Sequence, residues 1–106
     1  PFYTRLWKET RQKDGSIALT SETIGIAAAD ALLRENKVST TWQADAGQFY
    51  GEYEQGGTRY RIWVEDEMSM EEKMKVIRSS EFAGVAAWRL GLERRSVWEV
   101  IVNYLH

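Results

Sequence analysis

Residues Phe82 to Ala87 form an unbroken apolar run, Phe-Ala-Gly-Val-Ala-Ala, followed by Trp88, Arg89, Leu90, Gly91, Leu92 and Glu93. A run this short, without alternation, fits a strand buried on both faces, as in a parallel sheet. It ends in a tryptophan and an arginine, then a glycine-containing loop, then a helix signal. That is the order of a βα unit, and in a (β/α)8 barrel the C-terminal end of a strand is where ligand chemistry sits. Trp88 is therefore the first candidate for a ligand contact. The plainer alternative is that its indole plugs the core.

Length limits how much barrel the chain can hold. Its 106 residues suit one modest domain, whereas a complete (β/α)8 barrel takes roughly 250. The sequence opens on Pro1-Phe2-Tyr3-Thr4-Arg5, already inside an apparent strand, so it reads as a piece of something longer. Hydrophobic residues make up 43%, enough for a real core, and the net charge is -2. No strongly basic segment occurs, which argues against a nucleic-acid surface. There is no cysteine, and the single histidine is His106. Disulfides, thiolate metal sites and histidine-based triads are thereby excluded, and no metal or cofactor is expected. No run approaches the ~20 apolar residues of a membrane span, and no signal-peptide pattern opens the chain.

Phe2 to Thr10 reads as a strand, with Phe2, Thr4 and Leu6 alternating against Tyr3, Arg5 and Trp7. Lys13-Asp14-Gly15-Ser16 is a turn signal, and Ile17 to Leu19 a short extended piece. Thr20 and Ser21 offer an N-cap, with Glu22 in the first turn. The alanine-rich run Ile24 to Arg34 carries Ile24, Ala28, Ala31 and Leu32 on one stripe, which predicts a packing helix ending near Asn36. Val38 to Gln43 is a short strand and Asp45-Ala46-Gly47 a turn.

Gly56-Gly57 is a two-residue hairpin signal. Closing the chain there pairs Gln55 with Thr58, Glu54 with Arg59, Tyr53 with Tyr60 and Glu52 with Arg61. It also sets Gly51 against Ile62, Tyr50 against Trp63 and Phe49 against Val64. One face is then apolar, holding Phe49, Tyr53, Tyr60, Ile62 and Val64. The other holds Glu52, Glu54, Arg59 and Arg61 beside Tyr50 and Trp63. A one-residue slip destroys both the apolar face and the charge match.

Glu65-Asp66-Glu67 reads as an acidic loop feeding a helix N-terminus. Ser69 and Glu72 have capping-box spacing, and Met70, Met74 and Ile77 follow at helical intervals as core filler. Ser96 and Glu99 form a second capping box, with Val97, Ile101, Tyr104 and Leu105 as the stripe of a last helix. The expected order is strand, helix, strand, hairpin, helix, strand, helix. The fold class is α+β: residues 10–66 form an insertion module, 1–9 the end of one barrel strand, and 67–106 a last helix-strand-helix.

Five stretches together carry a resemblance: Pro1-Phe2-Tyr3-Thr4-Arg5, Thr41-Trp42-Gln43, Gly47-Gln48-Phe49-Tyr50, Tyr60-Arg61-Ile62-Trp63-Val64-Glu65-Asp66 and Ala83-Gly84-Val85-Ala86-Ala87-Trp88-Arg89. In this order they resemble the C-terminal portion of glycoside hydrolase family 18 enzymes, in particular bacterial spore cortex-lytic and spore-associated members. The resemblance implies that the Tyr-x-Arg piece ends the seventh barrel strand and that a chitinase-insertion-type antiparallel sheet with a helix follows. It implies that the last βαβα portion of the barrel flanks this module. It further implies that Trp88 forms the floor of the subsite under the bound N-acetyl sugar, with Tyr3 and Arg5 at the cleft margin. A spore or cell-envelope location and an N-acetylated glycan substrate follow from the same resemblance.

The family's Asp-x-x-Asp-x-Asp-x-Glu motif is absent from these residues, as is its Met-x-Tyr-Asp piece. The substrate's own acetamido group serves as nucleophile in this family, so one well-placed acid is indispensable. The carboxylates present, Glu52, Glu54, Glu65, Asp66, Glu67 and Glu93, are expected on loops or an exposed sheet face, without the burial that suits a general acid. No catalytic residue is therefore assigned, and the chain alone is expected to be inactive. The alternative is a free-standing α+β module whose Tyr50 and Trp63 face recognises a glycan or a protein. Trp7 and Trp42 are expected only to pack. The strands ending at Arg5 and Trp88, lacking barrel neighbours, are expected to expose free edges and to drive self-association.

Overall fold

The computed structural model describes residues 1–105, so His106 lies outside the described residues. Its elements are β1 (Tyr3–Arg11), β2 (Ile17–Gly25), α1 (Ile26–Glu35), β3 (Thr41–Gln43), β4 (Gln48–Gln55), β5 (Thr58–Val64), α2 (Glu67–Ser79) and α3 (Arg95–Leu105). The five strands form one antiparallel sheet in the order β2-β1-β5-β4-β3. The fold is α+β, as expected.

The β4–β5 hairpin has the register read from the sequence at all seven pairs, from Gln55 opposite Thr58 to Phe49 opposite Val64. Gly56 and Gly57 close it at φ +58° and +77°. Two successive residues at positive φ are what a tight primed turn needs, and glycine adopts them without steric cost. The Asp14-Gly15 turn also forms: Asp14 Oδ1 accepts from Ser16 N at 2.9 Å and Ser16 Oγ at 2.6 Å.

After that turn the chain departs from the expected order. Thr20, Ser21 and Glu22 do not cap a helix; they lie inside β2, which pairs with β1 over nine positions. The reason is tertiary. Without β2, one whole edge of β1 would be unpaired, and the alternation of Ala18, Thr20, Glu22 and Ile24 against Ile17, Leu19, Ser21 and Thr23 suits a strand. The helix starts only at Ile26, with Gly25 as a cap that has no side chain to offer. The Leu92 carbonyl accepts the Ile26 N–H instead, at 2.8 Å. A Cβ on Gly25 would stand 3.2 Å from that same carbonyl oxygen, so any side chain there would press the Leu92 segment back by a few tenths of an ångström. Asn36 ends α1 as expected, and its side-chain amide donates to the Leu32 carbonyl at 2.8 Å. The strand expected over Val38 to Gln43 shortens to Thr41–Gln43.

The cap of α2 is Asp66, not Ser69. Asp66 accepts from Ser69 N at 3.0 Å while Ser69 Oγ accepts from Asp66 N at 2.9 Å, so the reciprocal box sits three residues earlier than its spacing predicted. The second predicted box does not form. Ser96 lies within the first turn of α3 and its hydroxyl bonds to Glu67 on α2, while Glu99 faces Arg95 at 3.7 Å.

Two apolar clusters hold the layers together. Leu6, Ile62 and Val64 on the inner sheet face pack with Ala29 of α1, with Phe49, Leu32 and Leu33 around them. Phe2, Ile26, Met70, Met74, Val97 and Ile101 form the second cluster, between α2, α3 and the start of α1. Burying each such side chain contributes about 1.5–3 kcal/mol. The methionines at helical spacing are core, as the sequence indicated.

The largest departure is the run from which the sequence reading began. Residues 79–91 are exposed, and Phe82 to Ala87 form neither strand nor helix. A strand needs a partner edge. β1 is the nearest strand, and from Tyr3 onward β2 occupies one of its sides, with β5 on the other from Arg5. The run reaches β1 only at its beginning, where Phe2 N–H donates to the Trp88 carbonyl. The same pairing corrects the expected free edge at Arg5, because both sides of β1 are taken. The open edges of the sheet are those of β2 and β3.

Candidate functional site: the outer sheet face

Alternation along β1 sends Phe2, Thr4 and Leu6 to the buried side, at 1%, 1% and 2% exposure. Tyr3, Arg5, Trp7 and Glu9 therefore face the opposite side, where no helix packs. The register sets Trp63, Arg61 and Arg59 of β5 beside Arg5, Trp7 and Glu9. It sets Tyr50, Glu52 and Glu54 of β4 next in line. The uncovered face is thus a continuous field of aromatic and charged side chains, built by strand period and register alone.

Arg61 is its hub. Its Nε donates to Glu9 at 2.7 Å, and its Nη1 donates to the Tyr50 hydroxyl at 2.8 Å and to Glu52 at 2.9 Å. The Tyr50 hydroxyl in turn donates to Glu52 at 2.6 Å, and Arg59 reaches Glu52 at 3.0 Å. The Glu9 carboxylate, followed by Tyr50, raises the pKa of the Arg61 guanidinium. Tyr50's hydrogen bond, ahead of the two arginines, holds the Glu52 carboxyl below its ordinary value. Desolvation raises the phenol of Tyr50. The Tyr50 ring lies 4.7 Å from that of Trp63, tilted by 50°. This locked network orients two aromatic rings on an open surface, an arrangement suited to a ligand with alternating apolar and polar edges.

Of the three residues named in the sequence analysis, Tyr3 and Arg5 lie on one end of this face, and Trp88 meets the chain just before it through its backbone. Arg5 donates to Thr23 Oγ1 at 3.0 Å and to Ser21 Oγ at 2.8 Å, so its guanidinium is held over β2, while its Cα stands opposite that of Trp63 on β5. Tyr3 is half-buried opposite Gly25. Trp88 is 68% exposed and does not plug the core. Its backbone joins Phe2, immediately before Tyr3.

The carboxylates differ from expectation in one respect. Glu65 is 1% exposed, not on a solvated loop. Both its oxygens are occupied: Lys73 Nζ lies 2.5 Å from Oε1, and Gln48 Nε2 donates to Oε2 at 2.9 Å. Glu67 accepts from Arg94 at 2.6 and 2.7 Å and from Ser96, and Arg94's hydrogen bonds hold its carboxyl down at about 2. Arg94 also bonds Asp30, which ties α1 to α2 through the start of α3. Asp66 is raised by desolvation, yet it is engaged as the cap of α2. Glu93 accepts from Gly91 N at 2.7 Å and from the Trp98 indole at 3.2 Å, and lies below its ordinary range. Among the described residues no group of three His, Cys, Asp or Glu side chains is placed to hold a metal ion. No helix among them is long and apolar enough to cross a membrane.

Sequence reasoning found the Glu52–Arg61 pair but missed Glu9 and Arg94. Glu9 meets Arg61 only through the β1–β5 pairing, 52 residues apart, which no local turn signal announces. Arg94 lies between two predicted elements and bonds residues 27 and 64 positions away.

The molecule is an antiparallel sheet with helices on one side and an open aromatic and charged face on the other. The fold is that of the C-terminal part of glycoside hydrolase family 18 enzymes, as the resemblance implied. No protein-family model matches the chain. A cortical fragment-lytic enzyme of Bacillus anthracis is 24% identical over 84 residues, covering 78% of this chain and 20% of that protein. The chain thus spans about a fifth of the length of the curated relatives it matches. Among solved structures, a chitinase from Chromobacterium violaceum superposes with a TM-score of 0.82 at 18% identity, over 99% of this chain and 31% of that one. The spore cortex-lytic enzyme SleL of Bacillus megaterium gives 0.80 at 23% identity, over 97% and 24%. A glycoside hydrolase family 18 N-acetylglucosaminidase from Paenibacillus barengoltzii gives 0.71 at 23% identity, over 97% and 31%.

Proposed function

We propose that this chain is one wall of a cleft for an N-acetylglucosamine polymer, chitin-like or peptidoglycan-like, within a family 18 glycosidase whose proton donor lies elsewhere. The observation that carries it is the hydrogen bond from Phe2 N–H to the Trp88 carbonyl. It joins residues 86 positions apart and sets the backbone of Trp88, an exposed residue, beside the residue that precedes Tyr3. Trp88 then offers an apolar ring to the C–H face of a sugar, Tyr3 borders it, and Arg5, fixed by Ser21 and Thr23, orients a polar edge of the ligand. The reading gains support from the glycan-cleaving relatives and from the state of the carboxylates here. Each candidate acid is paired, capping a helix or lowered in pKa, which is unsuited to proton donation at neutral pH.

On this reading residues 10–66 are an insertion carried between two parts of a barrel. The protein acts at the spore or cell envelope, where its relatives' cortex-lytic names put their substrates. Self-association, expected from the sequence, is reassigned to the edges of β2 and β3 and to the Phe82–Trp88 run. The test is to titrate the chain with N-acetylglucosamine oligomers, following tryptophan fluorescence, and to assay release of a fluorogenic leaving group. Binding that Trp88→Ala abolishes, without turnover, is expected. Turnover by the chain alone, or binding indifferent to Trp88, overturns the proposal. The locked Tyr50–Trp63 pair favours a second reading, a glycan-binding module in its own right; binding lost in Trp63→Ala but retained in Trp88→Ala supports it.

A further inference from the structure

Helix α1 is too short to cover the sheet it packs on. Ten helical residues span about 15 Å, whereas the nine residues of β1 and of β2 span about 30 Å. The far ends of the strands therefore extend past the helix, and the molecule measures 54 × 25 × 24 Å. On the inner face, between the strands and the flank and C-terminal end of α1, lies an open groove of about 470 Å³, lined on the helix side by Ala28, Ala31, Leu32 and Glu35. That volume falls within the roughly 300–1,000 Å³ of ligand sites.

The lining is specific. Lys8, Tyr60 and Tyr53 stand in one row across β1, β5 and β4. The two tyrosine rings are stacked, with centroids 4.7 Å apart and planes within 8°. Each ring gives one face to the other and has a second face free of that pairing, and both residues are partly exposed. Lys8 and Glu22, diagonal neighbours on the paired strands β1 and β2, form an ion pair at 3.4 Å on the sheet wall of the groove, and Gln55 and Glu35 also line it. Aromatic faces with amide and charged groups at their border fit a pyranose ring, whose faces are apolar C–H and whose edge is hydroxyl. The ion pair cancels one charge of each sign, and Glu35 leaves the rim weakly negative, which selects against an anionic polymer. The openness suits a chain running through the groove rather than an enclosed small molecule.

We propose that this groove is a second saccharide site, on the inner face of the sheet, in which the Tyr53–Tyr60 stack carries one sugar ring of a neutral oligosaccharide. It rests on the glycan reading above but uses none of the same residues. Its role is to hold a polymer strand away from the cleft.

No tryptophan lines the groove, so the two sites separate spectroscopically. The experiment is to titrate the ¹⁵N-labelled chain with an N-acetylglucosamine pentamer, recording amide shifts and tryptophan fluorescence together. Shifts at Tyr53, Gln55, Tyr60 and Lys8 that survive Trp88→Ala are expected. Tyr53→Ala should weaken this site by at least about tenfold. Gln55→Ala, on an exposed strand end, checks the same site without touching the core. Shifts confined to Tyr3, Arg5 and Trp88 overturn the groove and leave the cleft reading standing. Shifts confined to the groove support this proposal and defeat the cleft reading. Groove shifts unchanged in both Tyr53→Ala and Gln55→Ala overturn the stack as platform, and no shift anywhere overturns both readings.

Discussion

Arg94 shows how one guanidinium, paired with both Glu67 and Asp30, joins three helices. The guanidinium meets Glu67 with two hydrogen bonds and Asp30 with a third, so α1 and α2 are both joined to the start of α3. Glu67 has its pKa lowered to about 2, first by the Arg94 hydrogen bond. A carboxyl with a folded pKa below its unfolded value adds stability above the unfolded pKa, near 4.5 here, and loses it as pH falls toward 2. Urea unfolding of the wild type and Glu67→Gln between pH 2 and 7 checks this. The gap is expected to be about 1–2 kcal/mol above pH 5, allowing for partial exposure, and to close near pH 2. A gap independent of pH means the charge is not what holds the helices. Glycines at the same scale give a paired outcome. A Cβ on Gly51 would stand 2.8 Å from Val38 Cγ1, whereas Gly84 has open space around it. Gly51→Ala is expected to cost about 1–3 kcal/mol in chemical denaturation, and Gly84→Ala less than about 0.5 kcal/mol.

Elements divide by how local their causes are. The β4–β5 hairpin was legible because Gly56-Gly57 fixes the turn and charge pairs fix the register. β2 was not, since Thr20-Ser21-Glu22 is both a fair helix start and a fair strand, and β1 decides between them from outside. The Asp66 cap was masked by a second residue, Ser69, with equal capping chemistry. The Phe82–Ala87 run has the composition of a buried strand but lacks flanking strands here, and composition carries no information about neighbours. At the site, Trp88 was singled out as the residue ending an apolar run and again by the resemblance, Tyr3 and Arg5 by the resemblance alone, while the Arg61 network needed a pairing between distant strands. An element held by so few bonds is the first to open. Limited trypsin digestion is expected to cut first after Arg89, an exposed site within the run, while β1, β4 and β5 persist. First cleavage inside β1 or β5 contradicts that ranking.

For the whole molecule, the two faces of one sheet divide the labour. The inner face anchors α1 through Leu6, Ile62 and Val64, and the outer face is left to polar and aromatic groups. Core loss is expected to act globally: Met74→Ala, at a site 1% exposed between α2 and α3, should cost about 2–5 kcal/mol in thermal or urea unfolding. It should leave the hydrogen exchange of the β4–β5 hairpin, on the other cluster, least affected.

The single rung between Phe2 and Trp88 has a consequence for how the face is finished. Residues Phe82–Ala87 are exposed and belong to no strand. Whichever polypeptide first lies along them will set the roll of the run about its own axis, and with it the direction in which the indole at its end looks out. With one backbone bond to Phe2 and no strand along it, the run leaves the direction of the indole free to follow whatever packs against it.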